Sequence, residues 1–414
     1  MAVGATNRLF LKQNLSDVPL DGRIVLVRVD FNVPLDESGQ IDDDFRIVAS
    51  LPTLSELMAR HCRVVLISHL GRPDGKVDAK LSLEPVAARL GELLGRPVAF
   101  AADCIGDIAS QAVKKLGQGD VLLLQNLRFH AGEEANDPAF AAALVKGSGA
   151  AYFVQDGFGV VHRAHASTEA ITHLLPSVAG LLVQKEYQVL TGAMSNPKRP
   201  LVAVLGGVKV SDKISVIERF VAVADRVVIG GAMANTFLSY QGKNIGKSIH
   251  EDDLAPTIER IYTAVRQITA DVDSFIMLPT DAAVATSLDP AAVRREVLLS
   301  EVAEDDYILD LGPRSIEAAI SLIESAQTVV WSGTLGRAET PQFAHGSARV
   351  ALALAEHKST VSSIIGGGDT VDFVLHWSGD GGKSFGHVST GGSASVELMS
   401  GMKLPGIEAL MDAR

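Results

Sequence analysis

The 414-residue chain is predicted to be an α/β protein: two Rossmann-like parallel-sheet domains joined by a connecting helix and a hinge. Three observations predict this fold. The length exceeds the roughly 250–300 residues at which a single hydrophobic core stops growing. Short β-branched and aliphatic runs alternate with helical periodicity from end to end, the pattern of parallel sheets buried on both faces. These runs also fall into two series, with one long helical stretch between them.

The first series is RIVLVRVDF (Arg23 to Phe31), RVVLISHL (Arg63 to Leu70), PVAFAAD, DVLLLQNL and AAYFVQDGF (Ala150 to Phe158). It predicts a first domain over 1–178. The stretch from Ser177 to Pro200 opens after Pro176, spaces Leu181, Leu182, Tyr187 and Leu190 at helical intervals, and stops at Pro197. It predicts the connecting helix, over 179–196; an ordinary crossover helix inside one domain would show the same spacing. The second series, PLVAVLGG, RVVIGG, SFIMLPTD, YILDLG, TVVWSG, VSSIIGGG and GHVSTGG, predicts a second parallel-sheet domain over 197–395.

Composition narrows the partners. A formal net charge of -12 and the lack of any Lys/Arg run argue against a nucleic-acid partner, so anionic ligands must be met by a few placed cations. The two cysteines, Cys62 and Cys104, show no CxxC spacing, which disfavours a disulfide framework or a thiolate zinc site. No apolar run reaches the ~20 residues of a membrane span, and the N-terminus has no signal-peptide pattern. A cytoplasmic protein with no membrane partner is expected.

Ligands of open parallel sheets bind beyond the carboxyl ends of the strands, and there the two series differ. Most strands of the second run into glycine: Gly206-Gly207, Gly230-Gly231, Gly312, Gly333, Gly366-Gly367-Gly368 and Gly391-Gly392. Glycine admits phosphate close to backbone N–H groups, and a following helix adds its positive end, so this half reads as a nucleotide face. The first series instead presents Asp30, Asn32, His69, Arg72, Asn126, Arg128, His162 and Arg163. Guanidiniums and imidazoles converging from separate strands suit a small, multiply charged anion.

Other signatures fail. The first strand runs into DFNVP with no GxGxxG turn, GKNIGKS and WSGDGGKS each miss the P-loop spacing, and HRAH lacks a third zinc ligand.

RVDFNVPL, SHLGRPDG, NLRFH, HRAHAST, LGGVKVSDKI, GGGDT and HVSTGG closely resemble, in this order, the signatures of the phosphoglycerate kinase family. The resemblance implies reversible phosphoryl transfer between 1,3-bisphosphoglycerate with ADP and 3-phosphoglycerate with ATP, in glycolysis and gluconeogenesis, by in-line transfer in a closed interdomain cleft. It implies that the first domain holds 3-phosphoglycerate through Asp30, Asn32, Arg46, His69, Arg72, Arg128, His162 and Arg163. The second would hold Mg²⁺-bound ATP or ADP through Lys209, Lys213, Gly230, Gly231, Gly333, Glu339 near the ribose, Gly366, Gly367, Gly368, Asp369 and Thr370. Asp369 would be the metal-side carboxylate and Thr370 a phosphate-facing hydroxyl. Catalysis would fall to Arg46, Lys213 and Lys209, with the helix N-termini at Gly368 and Gly391. The final residues, 396–414, would return to the first domain, and the enzyme would be a monomer.

The attacking carboxylate is already ionised at neutral pH, so this chemistry requires no general base. Four of these residues have plainer readings. Arg46 follows IDDDF and could pair with Asp42, Asp43 or Asp44. Lys209 and Lys213 could be a solvent-facing i, i+4 pair, although cations at a helix N-terminus are unfavourable without an anion. Asp369 could be an N-cap.

The chain also departs from the family. Ser332-Gly333-Thr334-Leu335-Gly336-Arg337-Ala338 stands where Asn-Gly-Pro followed by apolar residues is usual. Gln125 replaces Glu, Gln155 and Gly157 flank Asp156 in place of Asn and Ala, and Ser393 replaces Gly. These changes bear on the adenine and ribose contacts.

Overall fold

Residues 10–36 and 38–413 are described by the structure, a computed structural model. The chain divides into two units, one running to Gln188 and resuming at Met402, the other spanning Val189–Gly401. The division falls inside a helix, Leu181–Ser195.

The first unit is built on strands β1 (Ile24–Arg28), β2 (Arg63–Ile67), β3 (Ala99–Ala101), β4 (Val121–Leu124), β5 (Tyr152–Gln155) and β6 (Ser177–Ala179). They form one parallel sheet in the order β3-β4-β2-β1-β5-β6. Successive side chains point to opposite faces, and both faces are buried here. Val25 and Val27 of β1, with Val64 and Leu66 of β2, join one core cluster. Leu26, Val65 and Ile67 join another. Each fully buried aliphatic side chain contributes about 1.5–3 kcal/mol, which is why the strands read as unbroken apolar runs. β6 differs from expectation, because Ser177–Ala179, read as the start of the connecting helix, adds a sixth strand beside β5. The chain's end closes on this edge: Met411 N–H donates to Ser177 O, and Gln13 N–H to Met411 O.

The second unit has a parallel sheet of six strands: β7 (Leu201–Leu205), β8 (Arg226–Ile229), β9 (Ile276–Met277), β13 (Thr328–Ser332), β14 (Ser362–Gly366) and β15 (His387–Val388), ordered β15-β14-β13-β7-β8-β9. A second sheet was not foreseen. β10 (Asp281–Ala285), β11 (Arg295–Leu298) and β12 (Tyr307–Leu311) pair antiparallel in the order β11-β10-β12. YILDLG, read as a parallel strand, is therefore β12. Gly312 after it leaves the glycine face, since a Cβ there would lie 2.3 Å from the Asp281 carboxyl carbon. Ser393–Met399 forms a helix of this unit, and the chain rejoins the first unit from Met402.

Candidate active site

The strand ends of the first unit gather a cationic cluster around one carboxylate. β1 delivers Asp30, which is buried, and the helix Phe45–Ala59 delivers Arg46, whose Nη1 donates to Asp30 Oδ2 at 2.7 Å. Asp44 is instead engaged by Arg89, and Asp43 accepts the Phe45 N–H. His69, after β2, has its Nδ1 3.7 Å from Asp30 Oδ1. That Oδ1 is buried without a hydrogen bond, a costly state that a ligand hydroxyl would relieve. Asn32 Oδ1 accepts the Gly71 N–H, and Arg128 Nη1 donates to Gly71 O, so the loop after β2 is held from both sides.

A buried network lies beneath. Arg28, only 1% exposed at the end of β1, donates from Nε to Ser167 Oγ at 2.8 Å and from Nη2 to His69 Nδ1 at 3.1 Å. A guanidinium can only donate, so Nδ1 accepts and the ring proton sits on Nε2. Burial, with Arg28, Arg128 and Arg46 nearby, holds His69 well below the usual imidazole value, so the ring is neutral at pH 7. Ser167 donates to Glu133 from both N–H and Oγ, and the Glu133 carboxylate lies 4.0 Å from Arg28. Burial pushes Glu133 up and Arg28 down, while each opposes the shift of the other.

His162 and Arg163 stand on the loop after β5, joined by an Arg163 Nε to His162 Nε2 bond of 3.1 Å. Burial and the Arg163 charge lower the His162 value. Arg128 is also lowered, mainly by burial, although Glu134 pairs with it at 2.9 Å. Arg72 is exposed and makes no bond among the described residues. Elsewhere in this unit Asp103, Cys104 and His130 place their ligand atoms within 4.8 Å of one another, a grouping the sequence did not suggest. Asp103 and His130 already bond each other at 2.9 Å, tying the loop after β3 to that after β4.

In the second unit, backbone packs against backbone where β7 and β13 end. Gly333, at φ +101°, is so close to its neighbour that a Cβ would lie 2.1 Å from Gly206 O. Glycine is required there on both counts. Lys213, at the end of a 3₁₀ turn, donates from Nζ to Gly206 O at 2.8 Å and Ser332 O at 3.1 Å. Burial lowers its ammonium to about 8, against the pull of Asp369 and Asp212.

Beside these glycines lies a cavity of about 820 Å³. Gly207, Gly231, Thr334 and Asp369 line it, together with Leu288, Leu309 and Leu311, Arg337 and Glu339. Asp369 stands in the first turn of the helix Gly368–Ser378, whose N-cap is Gly367, and makes no capping bond. The N-cap reading of Asp369 therefore falls. An exposed carboxylate at the glycine end suits a hard, oxygen-seeking cation held mainly by phosphates.

The other expected residues each have their own surroundings. Lys209 is exposed in the loop before the 3₁₀ turn, so it forms no helical pair with Lys213. Thr370 is buried, and its Oγ1 accepts the Gly333 N–H at 2.6 Å. Gly230 is the N-cap of the helix Gly231–Tyr240 and packs on Leu335. Gly366 lies against Ser395, and Gly391 N–H donates to Ser389 Oγ just before the helix Ser393–Met399. Glu339 is bonded by Arg337 Nε at 3.1 Å. Arg28, Glu133 and Ser167 were missed. Arg28 did leave a signal, since a cation inside an apolar strand run must be paired when buried.

The phosphoglycerate kinase family description matches residues 15–402. A phosphoglycerate kinase of Moorella thermoacetica is 47% identical over 401 residues, covering 97% of this chain and 99% of the relative. One of Chlorobium phaeobacteroides is 46% identical over 403 residues, covering 97% and 100%. Among solved structures, phosphoglycerate kinase from Coxiella burnetii superposes with a TM-score of 0.81 at 34% identity, over 96% of this chain and 98% of that one. The Pyrococcus horikoshii enzyme gives a TM-score of 0.81 at 30% identity, with the same coverage.

Proposed function

This chain belongs to the phosphoglycerate kinase family and is a phosphotransferase with a carboxyl acceptor, and on that premise we propose which of its residues hold the acid and which the nucleotide. The reaction is reversible phosphoryl transfer between 1,3-bisphosphoglycerate with ADP and 3-phosphoglycerate with ATP. The acid binds the first unit. The observation that carries this reading is the unbonded Asp30 Oδ1, set beside Arg46 and the ring of neutral His69, whose Nδ1 lies 3.7 Å away. Arg128, His162 and Arg163 supply further donors for phosphate and carboxylate, Asn32 holds the Gly71 loop, and Arg72 adds an exposed cation beside it.

Nucleotide phosphates lie along the glycine end of the second unit's cavity, with the base toward Leu288, Leu309 and Leu311. Gly230, Gly231, Gly333 and Gly366-Gly367-Gly368 keep backbone close to the phosphates. Magnesium, when bound, neutralises charge on the nucleotide phosphates, and Asp369 is the side chain placed to hold it. Arg46 and Lys213 stabilise charge on the equatorial oxygens of the moving group, and Lys213 must leave its two carbonyls to do so. Lys209, exposed in the loop before Lys213, adds a second cation to hold the nucleotide phosphates. The helix N-termini at Gly368 and just after Gly391-Gly392 add partial positive charge.

Acid and nucleotide on different units can react only in a state that brings them together, so closure accompanies each turnover. The reading extends to a monomeric cytoplasmic enzyme; no helix among the described residues is long and apolar enough to cross a membrane. A coupled assay with ATP, Mg²⁺ and 3-phosphoglycerate tests the function. Turnover should require all three and collapse in Arg46→Ala; turnover without the acid, or none at all, overturns it.

A further inference from the structure

β3 and β4 lie side by side in the first unit's sheet, and the loops that follow them carry Asp103 and Cys104 on one side and His130 on the other. One carboxylate, one thiol and one imidazole thus come within 4.8 Å of one another. None of the three belongs to the acid or nucleotide assignments above. Asp103 Oδ1 accepts the Cys104 N–H at 2.7 Å and bonds His130 Nε2 at 2.9 Å, while Oδ2 bonds nothing among the described residues. The His130 ring is set by stacking on Phe140, with centroids 5.2 Å apart. Cys104 is fully buried, and its sulfur has no hydrogen-bond partner among the described residues, unlike that of Cys62, which donates to Leu20 O at 3.2 Å. The His130 and Asp103 side chains are 30% and 35% exposed. The cluster is therefore closed on the sulfur side and open to water on the other.

Thiolate, imidazole and carboxylate make a mixed sulfur, nitrogen and oxygen set, which borderline-soft zinc accepts and hard magnesium does not. Thiolate and carboxylate together neutralise a dication, so the buried sulfur charge is compensated. Cys104 also stands just before the helix Gly106–Lys114, whose positive end favours a thiolate. Around tetrahedral zinc such ligand atoms stand roughly 3.3–3.6 Å apart, a spacing that small side-chain rotations reach. We propose that Asp103, Cys104 and His130 form a zinc site with water in the fourth position, separate from the magnesium assigned to Asp369. On binding, Cys104 Sγ, His130 Nε2 and an Asp103 oxygen bond the ion. The thiol proton leaves to solvent, and the imidazole stays neutral with its proton on Nδ1. Burial holds the Cys104 thiol well above its usual value, so affinity rises with pH. Ligands drawn from two loops leave no CxxC spacing, which is why the cysteine pattern argued against a thiolate zinc site.

The test titrates the metal-free full chain with Co²⁺, which adopts zinc's geometry and reports sulfur ligation by a thiolate-to-cobalt charge-transfer band in the near ultraviolet. The parent should bind a single Co²⁺ with that band, release one proton per ion, and yield the ion to Zn²⁺ but not to excess Mg²⁺. Cys62→Ser should keep the band and Cys104→Ser should lose it. His130→Gln should weaken binding by roughly 10-fold or more; it lies on the exposed side and decides the matter if Cys104→Ser fails to fold. A folded parent without the band overturns the proposal, as does Co²⁺ bound without it, which would place the cation on carboxylates alone. So does a band that survives Cys104→Ser or vanishes in Cys62→Ser, or an affinity unchanged in His130→Gln.

Discussion

Arg46 enters the first turn of its helix as a cation at the positive end of a dipole, and its guanidinium lies on Asp30 rather than on the acidic segment preceding it. That placement favours a role toward an anion. Arg46→Ala is expected to cut kcat by ~10²-fold or more while the thermal melt stays near the parent's, since a preorganised cation near the moving phosphoryl is lost. Arg46→Lys should recover little, because a point charge lacks the planar fork of donors. Near-parental turnover in Arg46→Ala would leave only the Asp30 bond.

Lys213 gives a pH-dependent counterpart. Its ammonium is lowered to about 8 by burial, so the charged form is lost as pH rises through that value in the free enzyme. The kcat/KM for nucleotide, which reports the free enzyme, should fall above pH 8 in the parent, and this limb should move upward in Lys213→Arg. Lys213→Ala should lower kcat more than it weakens ADP binding; a pure rise in KM would make Lys213 a binding residue. Residue types at strand ends were legible in the sequence, but their bonds were not. Nothing in GGGDT tells that Thr370 serves the Gly333 N–H, and nothing in RVDF tells that Arg28 fixes the tautomer of His69.

At the scale of elements, the helix Leu181–Ser195 starts on a buried acid. Asp156 Oδ1 accepts from Thr53 Oγ1 at 2.9 Å and from Leu182 N–H at 3.0 Å. Burial raises its carboxyl from 3.8 to about 8 despite those donors. Between these values the folded chain keeps a proton the unfolded chain has released, so stability falls as pH rises across that window and levels off above it. Asp156→Asn removes the titration. Melts from acid to alkaline pH should show the variant gaining on the parent up to about pH 8 and no further; parallel curves would refute the assignment.

The buried parallel strands were legible because both faces are apolar, so β1, β2 and β4 appear as plain runs. The same property hid the antiparallel sheet. YILDL and the parallel strands share one pattern, and only pairing partners distinguish them. Ser177–Ala179 was hidden for a related reason: three residues are too few to show a period.

For the whole molecule, strand-end composition divides by unit, with a polar, cation-rich set of strand ends in one and glycine-lined backbone in the other. The sequence already showed that contrast, because strand-end composition is local information. The outer boundaries were less legible, since contacts between the chain's end and residues such as Leu11, Val161 and Ser177 leave no local trace. Amide hydrogen exchange on the full chain, with 3-phosphoglycerate alone and with MgADP alone, tests the division most directly. The acid should protect the segments around Asp30, His69, Arg128 and Arg163, and MgADP those around Gly207, Gly231, Gly333 and Asp369. Protection of the first unit's strand ends by MgADP, with none in the second unit, would contradict it.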